Sequence, residues 1–243
     1  MLKAAIEKIE SMAWKHIVEK NGKMYSDIRL AEVKPVIDQP YEVGFKSLDA
    51  ISQVVKAEIG RHICPIFINV EDARHIKVFS TYRANYQRDS LYTASISYQR
   101  CPEWYTYDEA MIALRSQFVP NDGVNYVLEL LSSVSDKSEV LSADNGITQT
   151  VNVRKGVSLQ SKAEVRPRIK LRPFRTFLEV EQPESEFLLR LRPGNQEKGI
   201  DPQIGFFEAD GGMWELDAKN GIAKYFEASL ADLIIAAKVI VTR

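Results

Sequence analysis

The chain has 243 residues, of which 45% are hydrophobic and 27% charged, ordinary values for a globular protein with one large domain or two modest ones. The net charge of −1 excludes a general attraction for polyanions, so any electrostatic function must come from local segregation of charge. Two cysteines without a CxxC pair predict no disulfide framework. The charge-interrupted N-terminus is not typical of a signal peptide, and no apolar run approaches the length of a membrane span. We therefore expect a soluble protein that does not enter a membrane.

The first forty residues predict a helix followed by a strand. Apolar residues recur every three or four positions from Leu2 to Ile17, which indicates an amphipathic helix ending near Asn21-Gly22. The stretch Met24–Val33 is typical of a strand.

The next seventy residues predict two helices around three strands. Ser47 is placed as the N-cap of a helix that Gly60 ends. Thr106 and Glu109 form a capping box that opens the other helix. The three strands between them are rich in β-branched or aromatic residues: Pro65–Val70, His75–Tyr82 and Leu91–Tyr98.

A domain boundary is expected near residue 135. Pro120 breaks the preceding helix, and Asn121 or Asp122 caps another one. The polar stretch Ser132–Ser138 then resembles a linker. These signals predict an N-terminal mixed α/β domain over 1–135 and a second domain over 136–243.

The second domain is predicted to consist mainly of short strands separated by glycine and proline turns. Their spacing is typical of an antiparallel β-sandwich, here of jelly-roll type, so the fold class is α+β. A helical period returns around Ile222–Leu230, before a last strand within Ile234–Val241. The earlier strands are predicted at Ile147–Val153, Val157–Leu159, Val165–Leu171, Phe174–Val180, Phe187–Leu191, Ile204–Glu208 and Met213–Leu216.

The strongest functional signal is a run of alternating cations, which we call the basic ladder. Arg166, Arg168, Lys170 and Arg172 share one face of an extended strand, because side chains alternate with a period of two. Like charges in a row repel each other unless an anion meets them. The candidate anion-binding residues are Arg166, Arg168, Lys170, Arg172, Arg175, Arg190 and Arg192.

Nearby carboxylates leave three interpretations of the ladder open. Glu179 and Glu181, on the strand predicted next, would pair with the cations across a meander. Alternatively the ladder is an exposed anion-binding face. In the third interpretation Glu179, Glu181, Glu208 and Asp210 hold Mg²⁺ and act on phosphodiesters.

Catalytic signatures are scarce. The sequence contains no P-loop, GxGxxG, HExxH or GxSxG motif, and its three histidines all lie in the first third. His62 and Cys64 form an isolated HxC pair, which is weak support for a zinc site. We predict no catalytic residue, no metal and no cofactor, and a protein that is not an enzyme.

Aromatic residues accompany the cations of the second half. Such interleaving suits the stacking of single-stranded nucleic acid when the rings are exposed, and a hydrophobic core when they are buried. The aromatic residues are Phe174, Phe177, Phe187, Phe206, Phe207 and Trp214.

Three segments in order resemble the YfdQ-like proteins of phages and prophages, a family of unknown function. They are Gly146–Gly156, Leu171–Pro183 and Phe207–Leu216, and the resemblance covers mainly residues 110–220, with Ser116–Pro120 at its start. Leu178 stands where relatives usually have proline. The resemblance implies a phage origin and action in the host cytoplasm, and it supplies no catalytic residues.

The sequence therefore predicts a non-enzymatic phage accessory protein that self-assembles and binds an anionic partner. The partner would be nucleic acid, a nucleotide signal or a host protein of defence or replication. An Mg²⁺-dependent phosphodiesterase or nuclease and a purely structural assembly protein are the alternatives.

Overall fold

The computed structural model divides into two compact units, Met1–Pro40 and Tyr41–Arg243. The residues it describes are 2–13, 17–21, 23–26, 31–33, 40–84, 86–98, 101–134, 139–144, 149–155, 158–192, 194 and 199–243.

The first unit contains one helix and a three-stranded antiparallel sheet. Helix α1 (Leu2–Ala13) is shorter than predicted, because the chain already pairs as a strand from Ile17 onward. Asn21, with a φ of 55°, lies in the turn after that strand, while Gly22 lies outside the described residues. The predicted strand 24–33 is divided in two. The strands, in sheet order, are β1 (Ile17–Lys20), β2 (Lys23–Ser26) and β3 (Ala31–Val33).

The second unit contains a five-stranded sheet with the order β15-β5-β6-β7-β4, in which both outermost pairs are parallel and the others antiparallel. The Ser47 hydroxyl accepts a hydrogen bond from the Ala50 amide, so the predicted N-cap of α2 is confirmed. The elements are β4 (Val43–Phe45), α2 (Leu48–Glu58), a 3-10 turn (Ile59–Arg61), β5 (Ile66–Val70), β6 (His75–Phe79), β7 (Ser90–Ser95) and β15 (Val239–Thr242).

A four-stranded antiparallel sheet follows the order β12-β13-β14-β8, and two helices accompany it. The capping box of Thr106 and Glu109 opens α3 as predicted. Asn121 is confirmed as the cap of α4, because its side-chain oxygen accepts from the Val124 amide at 2.9 Å. The elements are β8 (Trp104–Thr106), α3 (Tyr107–Ser116), α4 (Asp122–Val134), β12 (Arg168–Leu171), β13 (Ser185–Arg192) and β14 (Gln203–Glu208).

The remaining elements are a further antiparallel sheet, of order β11-β10-β9, and two helices near the end of the chain. They are β9 (Glu139–Asp144), β10 (Gln149–Lys155), β11 (Ser158–Val165), α5 (Met213–Ser229) and α6 (Ala231–Ile235).

Strands from both sides of residue 135 pair with each other. Strand β8 pairs with β14, and β15 pairs with β5. Both pairings cross the boundary predicted between 135 and 136, and the compact units divide between Pro40 and Tyr41. The α+β class is confirmed by helices together with mostly antiparallel sheets, and the jelly-roll arrangement stays a prediction.

The predicted strand 174–180 is instead a loop, because its backbone groups form hydrogen bonds with the Gln182 side chain and not with a neighbouring strand. The Gln182 side-chain oxygen accepts from the amides of Arg175 and Thr176. Its amide nitrogen donates to the carbonyls of Thr176 and Phe177. All of these groups are buried, so the loop is fixed by hydrogen bonds within itself.

The predicted strand Met213–Leu216 is instead the first turn of α5. Gly212, with a φ of 84°, precedes the helix in a left-handed conformation that favours glycine. The buried residues Trp214, Ala218 and Ile222 follow at steps of four, which is a helical period.

Two large hydrophobic cores lie among the described residues of the second unit, beside a small cluster of Ala73, Trp214 and Ala218. One fills the space between the four-stranded sheet and helices α3 and α4, and it includes Leu114, Leu131, Leu171 and Leu189. The other joins the five-stranded sheet to α2 and α5. None of the helices among the described residues combines the length and the apolar character that a membrane crossing requires.

Candidate functional site

The four-stranded sheet has one apolar face against α3 and α4 and one polar face, which we call the outer face. Burial alternates along β13, with Phe187, Leu189 and Leu191 inside. The outer face consists of Arg168, Lys170, Glu186, Leu188, Arg190, Arg192, Gln203, Gly205, Phe207, Trp104 and Thr106.

Three ladder cations already meet carboxylates of their own chain. Arg168 pairs with Glu186 at 2.9 Å, and Lys170 pairs with Glu184 at 3.0 Å. Arg172 pairs with two carboxylates, Glu181 at 2.6 Å and Glu184 at 3.3 Å. We call Arg168, Lys170 and Glu186 of this face, together with their ion-pair neighbours Arg172, Glu181 and Glu184 beyond the strand ends, the paired half of the outer face.

The partners in the paired half differ from those predicted. Glu181 does pair with Arg172, but Glu179 accepts a hydrogen bond from the Leu48 amide at 2.7 Å, at the beginning of α2. The reason is that 174–180 is a loop, so the strand that pairs with β12 begins only at Ser185.

Within the paired half, Glu184 contacts two cations, Lys170 and Arg172. Partial burial acts to raise the pKa of this carboxyl, but the hydrogen bonds and charges of Lys170 and Arg172 outweigh it and lower the pKa below 4.5. Lys170 is nevertheless 73% exposed and Arg168 62% exposed. Exposed pairs of this kind contribute about 0–1 kcal/mol each, so their main effect is to balance charge.

Arg166, the first cation of the ladder, has an aromatic neighbour. Its guanidinium lies over the Tyr126 ring at 4.5 Å, and its backbone amide donates to the Tyr126 hydroxyl at 2.9 Å. This arrangement fixes the chain just before β12 and leaves the Arg166 side chain exposed.

Arg175 lies in the interior and not on an anion-binding surface, which corrects its predicted role. The side chain is 3% exposed, forms an ion pair with Glu208 and donates to the Ser185 hydroxyl. Its guanidinium also lies over the Trp214 ring at 3.9 Å. Burial with a carboxylate, a hydroxyl and an aromatic ring makes Arg175 a structural group.

The other half of the outer face combines cations with aromatic rings, and we call it the aromatic half. The Arg192 guanidinium lies over the Trp104 ring at 3.6 Å. Trp104 meets Phe207 edge to face, with ring centroids 5.3 Å apart. Among the described residues, neither Arg190 nor Arg192 forms an ion pair. The aromatic half therefore carries positive charge that the described part of the chain leaves unbalanced.

Gly205 makes this arrangement possible. It lies between Arg190 on β13 and Trp104 on β8. A Cβ atom at this position would come within 2.7 Å of Phe207 and 2.9 Å of Trp104, closer than side chains tolerate. The missing side chain therefore leaves the space that the two rings occupy.

The four carboxylates of the predicted magnesium site have separate partners. Glu179 binds the start of α2, Glu181 pairs with Arg172, and Glu208 pairs with Arg175. Asp210 accepts hydrogen bonds from the Ser185 hydroxyl and the Gly212 amide. Within the described ranges no three ligand-type side chains converge as a metal site requires.

Sequence reasoning did not single out Trp104 or Gly205. Trp104 lies on a strand of only three residues, too few for an alternating pattern, and Gly205 has no side chain that would mark a polar or apolar face. Of the aromatic residues predicted to stack or to form the core, Phe177, Phe187, Phe206 and Trp214 are buried. Phe207 alone among the six lies on the outer face.

Comparison with protein-family models, with curated proteins and with solved structures found no match for this chain. The resemblance to the YfdQ-like family therefore stays a prediction.

Proposed function

We propose that this chain is a non-enzymatic phage accessory protein that binds an anionic partner through the aromatic half of the outer face and self-assembles. The partner is a nucleic acid, a nucleotide signal or a host protein of defence or replication. The phage origin and the host cytoplasm rest on the sequence resemblance, and the binding face rests on the geometry.

The main support for this proposal is the difference between the neighbours of the cations in the two halves. Arg190 and Arg192 have aromatic and glycine neighbours, whereas Arg168, Lys170 and Arg172 have carboxylate neighbours. An anion approaching the paired half must compete with carboxylates that are already in place. At the aromatic half the same anion meets positive charge without that competition, which favours binding there.

Direct binding measurements test this proposal. Fluorescence anisotropy of labelled single- and double-stranded DNA, RNA and cyclic nucleotides, at low salt, is expected to detect binding by at least one of them. The affinity should fall as salt rises, with a slope of about 0.7–0.9 in log affinity per phosphate neutralised. Absence of binding to every one of these anions at low salt would contradict the proposal for nucleic acids and nucleotides. The same assay with labelled polyglutamate, as a model of an acidic protein, tests the proposal for protein partners.

A second set of observations supports self-assembly. Strand β15 is an edge of the five-stranded sheet, and its residue Ile240 is 40% exposed. At the opposite edge, β4 carries the exposed Val43 and follows the exposed Tyr41. Edge strands with exposed apolar residues are sites where copies of a chain pair. Native mass measurement is expected to show an oligomer, and a strict monomer at every concentration would rule assembly out.

A further inference from the structure

We infer that the aromatic half stacks the bases of a single-stranded nucleic acid, an inference that rests on the proposed anion binding and names its partner. The inference uses the arrangement of Trp104, Phe207 and Arg192 on one open sheet face. It goes beyond charge, because charge alone would accept any polyanion.

Stacking surfaces are present on this face. Trp104 and Phe207 are both partly exposed, and they lie next to each other in the space that the missing Gly205 side chain leaves to them. The Arg192 guanidinium covers one face of the Trp104 ring and is itself exposed. Nucleic acid bases stack on aromatic side chains and also on the planes of arginine guanidinium groups.

Polar groups lie around the stacking surfaces at fixed positions. Arg190 lies directly opposite Gly205, and Arg192 lies opposite Gln203. The guanidinium groups suit phosphates, and the Gln203 amide offers both a donor and an acceptor to the edge of a base. Single-stranded RNA is bound in this manner on the face of four-stranded sheets that present aromatic side chains.

A duplex would not satisfy the same groups. The faces of its bases are covered by neighbouring base pairs, so Trp104 and Phe207 find no base face on which to stack. Unpaired bases expose both faces and can lie on Trp104 or on Arg192. The geometry therefore favours a single strand over a duplex of the same charge.

The main test compares two identical substitutions. Phe207→Leu removes a ring from the aromatic half, while Phe174→Leu removes a partly exposed ring that lies outside the outer face. Binding of an oligothymidine of about 12 nucleotides is measured over a range of salt concentrations. Phe207→Leu is expected to weaken binding about 5- to 100-fold without changing the salt slope, because stacking releases no counterions. Phe174→Leu is expected to bind as the unaltered chain does.

Tryptophan fluorescence provides a second readout that a merely structural role would not change. Stacking on Trp104 is expected to quench part of the emission when oligothymidine binds. Trp104→Phe keeps an aromatic ring, so it should retain most of the affinity while losing that part of the quenching. This readout decides the matter if Phe207→Leu does not fold.

The outcomes separate the inference from the function on which it rests. The inference is overturned if Phe207→Leu binds oligothymidine as tightly as the unaltered chain, or if a duplex of equal charge binds equally well. In both cases salt-dependent anion binding would remain. If instead a cyclic nucleotide or an acidic protein binds and the oligothymidine does not, the anion site stands and the single strand is excluded as its ligand. No binding to any anion would remove both proposals.

Discussion

The two halves of the outer face carry similar numbers of cations but differ in what surrounds them. In the paired half, Arg168, Lys170 and Arg172 meet Glu186, Glu184 and Glu181. In the aromatic half, Arg190 and Arg192 meet glycine, glutamine and tryptophan. The comparison shows that the availability of a cation depends on its cross-strand neighbours more than on the density of positive charge along the chain.

The largest expected effect concerns Arg175, a buried cation that belongs to neither half. Arg175→Ala leaves Glu208 without its partner and opens space beside Trp214. We expect the free energy of unfolding to fall by about 3 kcal/mol, at the lower end for a broken buried pair because Glu208 keeps access to water. Denaturant unfolding measures this loss. A stability equal to that of the unaltered chain would show that Arg175 is not a structural group.

The next effect concerns the space under the two aromatic rings. Gly205→Ala brings a methyl group within 2.9 Å of Trp104 and is expected to cost about 1–3 kcal/mol and to weaken binding. Gly44→Ala is the control in another strand, because there the nearest atom, on Thr93, is 3.6 Å away. Thermal unfolding of both variants checks the prediction, and equal stabilities would contradict the assigned position of the rings.

A gain of binding is expected when the paired half loses a carboxylate. Glu184→Gln leaves Lys170 without its carboxylate, while Arg172 loses one of its two carboxylates and keeps Glu181. The salt slope for a polyanion should then steepen, by about 0.7–0.9 for each cation that reaches a phosphate. Glu215→Gln changes the net charge equally at an exposed position on α5 and serves as the control. If both variants gain equally, net charge and not local pairing controls binding.

The smallest effect is the pH dependence of the same carboxylate. Because the pKa of Glu184 is lower in the folded chain than its ordinary 4.5, its contribution to stability is present above 4.5. That contribution is lost as the pH falls through the lower, folded-state pKa. The difference in unfolding free energy between the unaltered chain and Glu184→Gln, below about 1 kcal/mol for such an exposed pair, should therefore shrink in acid. A difference that grows in acid would contradict the sign.

Local signals in the sequence predicted much of the fold of the second unit. The caps at Ser47, Thr106 and Asn121 are confirmed, because a capping side chain needs only its immediate neighbours. The strand predictions for β5, β6 and β7 are confirmed as well, because their β-branched and aromatic residues are a local signal. Pairing between β8 and β14 or between β15 and β5 joins residues far apart in the chain, and no local pattern specifies it.

The candidate site was predictable only in part. Alternation placed Arg168 and Lys170 on one face correctly, but it did not reveal that Glu186 of β13 and Glu184 just before it pair with them. The wrong partners were predicted because segment 174–180 has a sequence pattern typical of a strand, whereas the hydrogen bonds of Gln182 hold this segment as a loop. The position of Trp104 beside Arg192 depends on a pairing across β14, which the sequence alone does not indicate.

The most direct test of this account is a comparison of two double variants that each remove two positive charges from the outer face. Arg190→Gln with Arg192→Gln alters the aromatic half, and Arg168→Gln with Lys170→Gln alters the paired half. Oligothymidine affinity is measured for both between about 50 and 200 mM salt. The account predicts that the first variant loses most of its affinity and that its salt slope falls by about 1.4, while the second binds almost as the unaltered chain does. An equal loss in both variants, or a larger loss in the second, would contradict it.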